Sequence, residues 1–153
     1  MSPEATKLYA AIRTLRLCFN RLKGIADDMH HDLGVNASRR AVMEVLAVDG
    51  PRPVPEIASS RGVSRQHIQV NVDALARAGH VETRENPAHK RSPLIRLTKQ
   101  GSATFKKIRQ REEATIEQLA CSLAPETIET VATALNSLEE QLNILQREGN
   151  HND

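Results

Sequence analysis

The sequence predicts a mainly α protein with a small β-wing. This is an α+β chain in which a winged helix-turn-helix is flanked by N- and C-terminal dimerisation helices. Three observations carry that expectation. Apolar residues near both ends recur with alternating spacings of three and four, the mark of a helix with a narrow seam. The middle holds a short helix, a glycine turn and a serine-capped second helix, followed by an alternating strand, a polar loop and a second strand. The charge is also divided. Residues 52–111 carry 13 Lys+Arg against 4 Asp+Glu, a net +9, and residues 112–153 carry 1 against 9, a net −8. Residues 1–51 carry 7 against 6, within a whole-chain net charge of +2. A basic middle in an otherwise neutral or acidic chain is the electrostatic footprint of a segment that meets nucleic acid.

Composition excludes several classes. A chain of 153 residues buries roughly 70% of its unfolded surface, so it needs no disulfide or metal staple. No apolar run approaches the ~18 residues of a membrane span, and the N-terminus has no apolar stretch of the secretory kind. Cys18 and Cys121 are too few and too far apart for a disulfide scaffold, so a cytoplasmic protein is expected. Tyr9, Phe19 and Phe105 are the only aromatics, too few for base-stacking single-strand binders. The seven glycines are never closer than ten positions, so no phosphate-cradling loop exists, and G-x-S-x-G, H-E-x-x-H and C-x-x-C are absent. No enzyme, cofactor or metal is expected. Asp27 and His31 share a helix face, but two ligands do not make a zinc site.

At the N-terminal end, Leu8, Ile12, Leu15, Phe19, Leu22, Ala26 and Met29 space as 4, 3, 4, 3, 4, 3 and predict one helix over 6–31. At the other end, residues 99–121 form a helix capped by Thr98. A last helix starts at Pro125 and carries Val131, Leu135, Leu138, Leu142 and Leu145 on its seam. Such seams are poorly buried by one chain alone. A two-fold homodimer covers them most simply, and packing within the chain is the alternative. The expected organisation is a dimerisation helix in 1–37, a DNA-binding lobe in 38–98 and completing helices in 99–153, together one intertwined domain.

In the middle, a short helix over Ser38–Val48 is followed by Gly50-Pro51-Arg52-Pro53, which breaks the chain. Pro55–Arg61 makes two helical turns. Gly62 supplies a left-handed residue, and Val63 plugs the turn. Ser64 caps a helix from Arg65 to Ala78 that Gly79 closes. Ile68, Val72 and Leu75 form its inward stripe. Arg65, Gln66, His67, Gln69 and Asn71 are expected to point outward, and with Ser64 they form the candidate base-reading set: Arg suits guanine, and Gln or Asn suits adenine. His80–Arg84 and Leu94–Leu97 read as strands. The loop between them carries His89, Lys90, Arg91 and Ser92, whose charges suit phosphates or a minor groove. The partner expected is double-stranded DNA. A winged helix that only docks another protein is the alternative.

The order of these elements, and the residues Val54-Pro-Glu-Ile-Ala, Val63-Ser64-Arg65, Leu75-x-x-x-Gly79-x-Val81 and Asn86-Pro87 through Arg91, Ile95, Leu97-Thr98-x-x-Gly101, resemble the MarR family of dimeric winged-helix transcription regulators. The resemblance spans essentially the whole chain. It implies a ligand-responsive repressor that binds a palindromic operator as a homodimer, with a small aromatic or anionic effector held between the dimerisation helices and the DNA-binding lobe. Arg13, Arg16 and His30 are polar groups in that region that would meet an anion. One departure stands in the wing. The family pattern is Asp-x-Arg, and here it reads His89-Lys90-Arg91. Leu17-Cys18-Phe19 also resembles the sensing segment of the organic-peroxide-responsive branch, with Cys121 as a second thiol and Arg21 placed to favour a thiolate. The tyrosines that hold the sensing cysteine in that branch are missing here, and a cysteine beside an apolar seam serves equally as a small hydrophobe.

Overall fold

The computed structural model describes residues 1–149. In chain order it contains α1 (Pro3–His30), a 3-10 turn (His31–Leu33), α2 (Ala37–Asp49), β1 (Arg52–Pro53), α3 (Val54–Arg61) and α4 (Arg65–Arg77). It continues through β2 (Val81–Arg84), β3 (Leu94–Leu97), α5 (Lys99–Cys121) and α6 (Pro125–Gly149). The chain divides into two compact units, Met1–Arg111 and Glu112–Asp153.

The first unit holds the core. Val42, Met43, Val45 and Leu46 of α2, Ile57 of α3, Ile68, Val72 and Leu75 of α4, and Phe105 and Ile108 of α5 are all buried. They converge with Val81 of β2 and Ile95 of β3. On α4 the buried positions recur at three- and four-residue spacings, the apolar stripe that a 3.6-residue turn requires. β2 and β3 form an antiparallel ladder, with Val81 opposite Leu97 and Arg84 opposite Leu94, and Val81 and Ile95 are the strand residues buried in the core.

Two-residue β1 departs from the sequence expectation. The stretch Gly50–Pro53 reads as a plain break, yet Arg52 pairs with Ile95 and Pro53 with Leu94 along the outer edge of β3, making a three-stranded sheet in the order β1-β3-β2. An edge strand tolerates proline because its outward N–H side needs no ladder partner.

α1 is capped by Ser2, whose hydroxyl accepts from the Ala5 amide. His30 is its one buried residue. Leu8, Leu15, Phe19 and Leu22 of the seam stand exposed, Phe19 by 64%. Where α1 ends, the Arg111 guanidinium donates to both carboxylate oxygens of Asp32, at 2.6 and 2.9 Å, and to the Met29 carbonyl at 2.8 Å. This bidentate pairing holds the Asp32 carboxyl down to about 2 and raises Arg111. Asp27 reaches past this turn, and its carboxylate accepts from the Ala37 amide at 2.8 Å to cap the start of α2.

In the second unit, α6 carries acidic Glu126 in its first turn and buries no residue. Val131, Leu135 and Leu142 of its seam are exposed. No described helix is long and apolar enough to cross a membrane.

Candidate nucleic-acid interface

The turn between α3 and α4 is built as the residues dictate. Gly62 takes φ +62 and its amide closes α3 on the Ala58 and Ser59 carbonyls. Ser64 is extended, and its hydroxyl accepts from the His67 amide at 3.1 Å. That N-cap leaves the first turn of α4 facing outward, with Arg65, Gln66, His67 and Gln69 exposed. The far end is fixed equally firmly. The His80 amide donates to the Leu75 carbonyl and the Gly79 amide to the Ala76 carbonyl, with Gly79 at φ +75, the paired bonds of a Schellman ending.

Two sequence expectations for this element are corrected. Asn71, expected outward, is 7% exposed, and its amide donates to the His67 carbonyl at 2.8 Å. Three residues after Ile68 and four before Leu75, it falls on the buried side of the helix. Val63, expected to plug the turn, is 41% exposed. Its contribution is the backbone bond from its amide to the Ala58 carbonyl at 3.1 Å.

The wing is braced from within by a residue that the sequence reading treated only as a turn former. Asn86 is buried. Its amide donates to the Ser92 carbonyl at 2.8 Å and its side-chain oxygen accepts from the Ala88 amide at 3.1 Å. The backbone adds His89 to the Asn86 carbonyl and Ser92 to the His89 carbonyl. Position 89 therefore needs no carboxylate to order the loop, and exposed Lys90 and Arg91 stand on it with half-buried Ser92 beneath. An asparagine before a proline is an Asx-turn signal, and here the backbone groups of Ala88 and Ser92 meet its side chain.

The wing base is locked to the end of α4. The Thr98 hydroxyl donates to the Gly79 carbonyl at 2.6 Å and accepts from the Gly101 amide at 2.9 Å, and the Thr98 amide donates to the His80 carbonyl. Arg96 and Glu82 pair across β2 and β3. His80 is buried there, its Nδ1 has no hydrogen-bond partner, and burial lowers its pKa.

Together these locks hold α4 and the wing around a cleft of about 420 Å³. Arg65, Gln66 and Gln69 line it from the helix, and Arg91 and Ser92 from the wing. Within it the Gln69 amide donates to Asp73 at 2.8 Å. A protruding capped helix beside a basic hairpin can present donors to groove edges while its flank meets phosphates.

Of the remaining candidates, Cys18 and His30 are not brought together. Arg13, Arg16 and Cys18 lie on exposed turns of α1. His30 is 12 residues beyond Cys18, about 18 Å along the helix axis. Cys18 and Cys121 are free and exposed.

Comparison with known proteins agrees with this architecture. A model described as the MarR family matches residues 33–92. A protein of Mycobacterium tuberculosis named only as uncharacterized is 30% identical over 105 residues, covering 69% of this chain and 73% of that protein. The crystal structure of a MarR family transcription regulator is 25% identical and superposes with a TM-score of 0.81 over 95% of this chain and 96% of that one. A mutant of MarR from E. coli complexed with operator DNA is 19% identical, with a TM-score of 0.78 over 90% of this chain and 99% of its own. The three-stranded sheet, the capped α4, the hairpin after it and these matches agree, and the chain belongs to the MarR family of transcription regulators.

Proposed function

We propose that this protein is a sequence-specific double-stranded DNA-binding transcriptional regulator, a repressor that occupies a palindromic operator as a homodimer. The observation that carries the reading is the Ser64-capped α4. It projects Arg65, Gln66, His67 and Gln69 beside a wing whose exposed tip bears Lys90 and Arg91. Arginine and glutamine offer the paired donors and acceptors that major-groove edges discriminate, whereas the wing cations suit the sugar-phosphate backbone. A mutant of MarR solved with operator DNA has the same fold, which supports a duplex DNA partner.

The exposed apolar residues of the two seams support the homodimer. Regions 1–37 and 99–153 supply the dimerisation helices, and region 38–98 supplies the DNA-binding lobe. The two-fold axis would repeat α4 on successive half-sites, about 34–36 Å apart on the duplex. The family resemblance adds a small aromatic or anionic effector that lowers operator occupancy.

The test is selection of duplexes from a random library by the full chain, followed by binding of selected and scrambled duplexes. Enrichment of a two-fold symmetric sequence, bound at least a hundredfold more tightly than the scramble, supports the reading. Enrichment of no sequence, with little affinity for bulk duplex even at low salt, would instead fit a module that docks protein.

A further inference from the structure

α4 is helical at 100° per residue, so its faces can be assigned by angle. The buried positions Ile68, Asn71, Val72 and Leu75 centre on one direction. Directly opposite, within about 30° of the outward normal, lie Gln66, Val70, Asp73 and Arg77, spaced four, three and four residues apart. Arg65 and His67 fall on the two flanks. The ridge standing furthest from the core therefore contains an apolar residue between polar ones. Val70 is 61% exposed there, whereas Ile68 and Val72 on the same helix are 2% and 3% exposed.

The chemistry of that ridge is specific. Gln66 can pair both amide atoms with one adenine edge. Asp73 already accepts from Gln69 at 2.8 Å, which turns the Gln69 amide along the helix and leaves Gln66 and Val70 as the central pair. A valine has nothing to offer a phosphate or a polar base edge. The apolar feature that a major groove does display is the C5 methyl of thymine.

We infer that Val70 is a specificity-determining residue that packs on a thymine methyl in each half-site, close to the base contacted by Gln66. The inference rests on α4 being the base-reading helix. Four residues separate the two side chains by about 6 Å along the axis, so the thymine lies within about two base steps of the Gln66 contact. The apolar contact excludes water from one methyl group at each half-site. That is worth about fourfold in affinity per half-site, from the transfer free energy of one methylene-sized group.

The experiment uses the full chain and a duplex it selects from a random library. Each thymine of a half-site is replaced singly, and symmetrically, by deoxyuridine, which lacks only the C5 methyl. For wild type, one thymine position is expected to lose about sixteenfold across the two half-sites of the dimer, by the same transfer constant. Val70→Ala should bind the thymine duplex about that much more weakly and be indifferent to the replacement at that position. Val70 is exposed, so the variant should unfold at the wild-type urea midpoint. If Val70→Ala keeps full discrimination between thymine and deoxyuridine at every position, or wild type discriminates at none, the role of Val70 is overturned while base reading by α4 stands. If no sequence is enriched at all, base reading by α4 falls and the inference falls with it.

Discussion

A Cβ on residue 101 would stand 1.9 Å from the carbonyl oxygen of His80 and 2.8 Å from its carbonyl carbon. The N-terminal turn of α5 thus lies directly on the backbone that joins α4 to β2. The atoms in the way are main chain and cannot rotate aside. This approach, with the Thr98 hydroxyl between Gly79 and Gly101, fixes where the wing sits relative to the helix it accompanies.

Gly101→Ala should therefore destabilise the protein by about 1–3 kcal/mol or more, the cost of forcing atoms into a packed site. Urea unfolding measures it. DNA affinity should fall too, because the wing base and the end of α4 are pushed apart. An alanine variant as stable as wild type would mean that the close approach relaxes at no cost.

Asn86→Ala removes both side-chain bonds that tie the wing loop together. The loop is at the surface, so global stability should change by only about 1 kcal/mol. The local effect is larger. Trypsin should cleave after Lys90 or Arg91 several times faster than in wild type, since cleavage follows local opening. Equal cleavage rates would show that backbone bonds alone hold the wing.

Base-reading and phosphate contacts separate by their salt dependence. Arg65→Ala or Gln66→Ala should cost about 1–3 kcal/mol per symmetric contact on the selected operator, and less on a scrambled duplex. Lys90→Ala should weaken both duplexes alike and shallow the salt slope by about one unit per lost contact, about two per dimer. Equal losses on both duplexes for the α4 variants would remove base reading from that helix.

Stability should fall in acid in two stages. Burial lowers the folded pKa of His80 from its ordinary 6.5. The unfolded chain then binds the proton more readily, and stability that is complete above about pH 6.5 declines as pH drops below it. Arg111 lowers Asp32 to about 2. That contribution is present above the ordinary carboxyl value of 3.8 and is lost as pH falls from there towards 2. His80→Gln should flatten the first stage and Asp32→Asn the second, read as urea midpoints across pH. An unchanged profile in His80→Gln would assign the first stage to another group.

Deleting residues 1–20 or 131–153 should abolish the dimer and sharply weaken operator binding, because each deletion removes an exposed apolar seam. Sedimentation measures the first effect. A monomeric wild type at micromolar concentration would refute the dimer itself.

Local rules made much of this protein legible from its residues. The capping hydroxyls of Ser64 and Thr98, the positive-φ turns at Gly62 and Gly79, and the alternation of His80–Arg84 that marks β2 depend on neighbours within a few positions, so these elements could be read in order. The basic middle and the capped α4 likewise marked the face that carries the candidate site.

The rest was decided by contacts between residues distant in sequence. Arg52 and Pro53 form a strand only because the edge of β3, more than forty residues on, offers them a ladder. Asn71 is a polar residue that the outward face would have suited. Three positions from Ile68, it lies instead where α4 meets the core, and burial became affordable once the His67 carbonyl took its amide. Asn86 became the brace of the wing because the Ser92 carbonyl returned to it. The approach of Gly101 to His80 exists only after α5 packs on the wing base. Composition and spacing report what a residue can do within a turn of its own chain. Which face is buried, and which polar group finds a partner there, follows from the packing of the whole lobe.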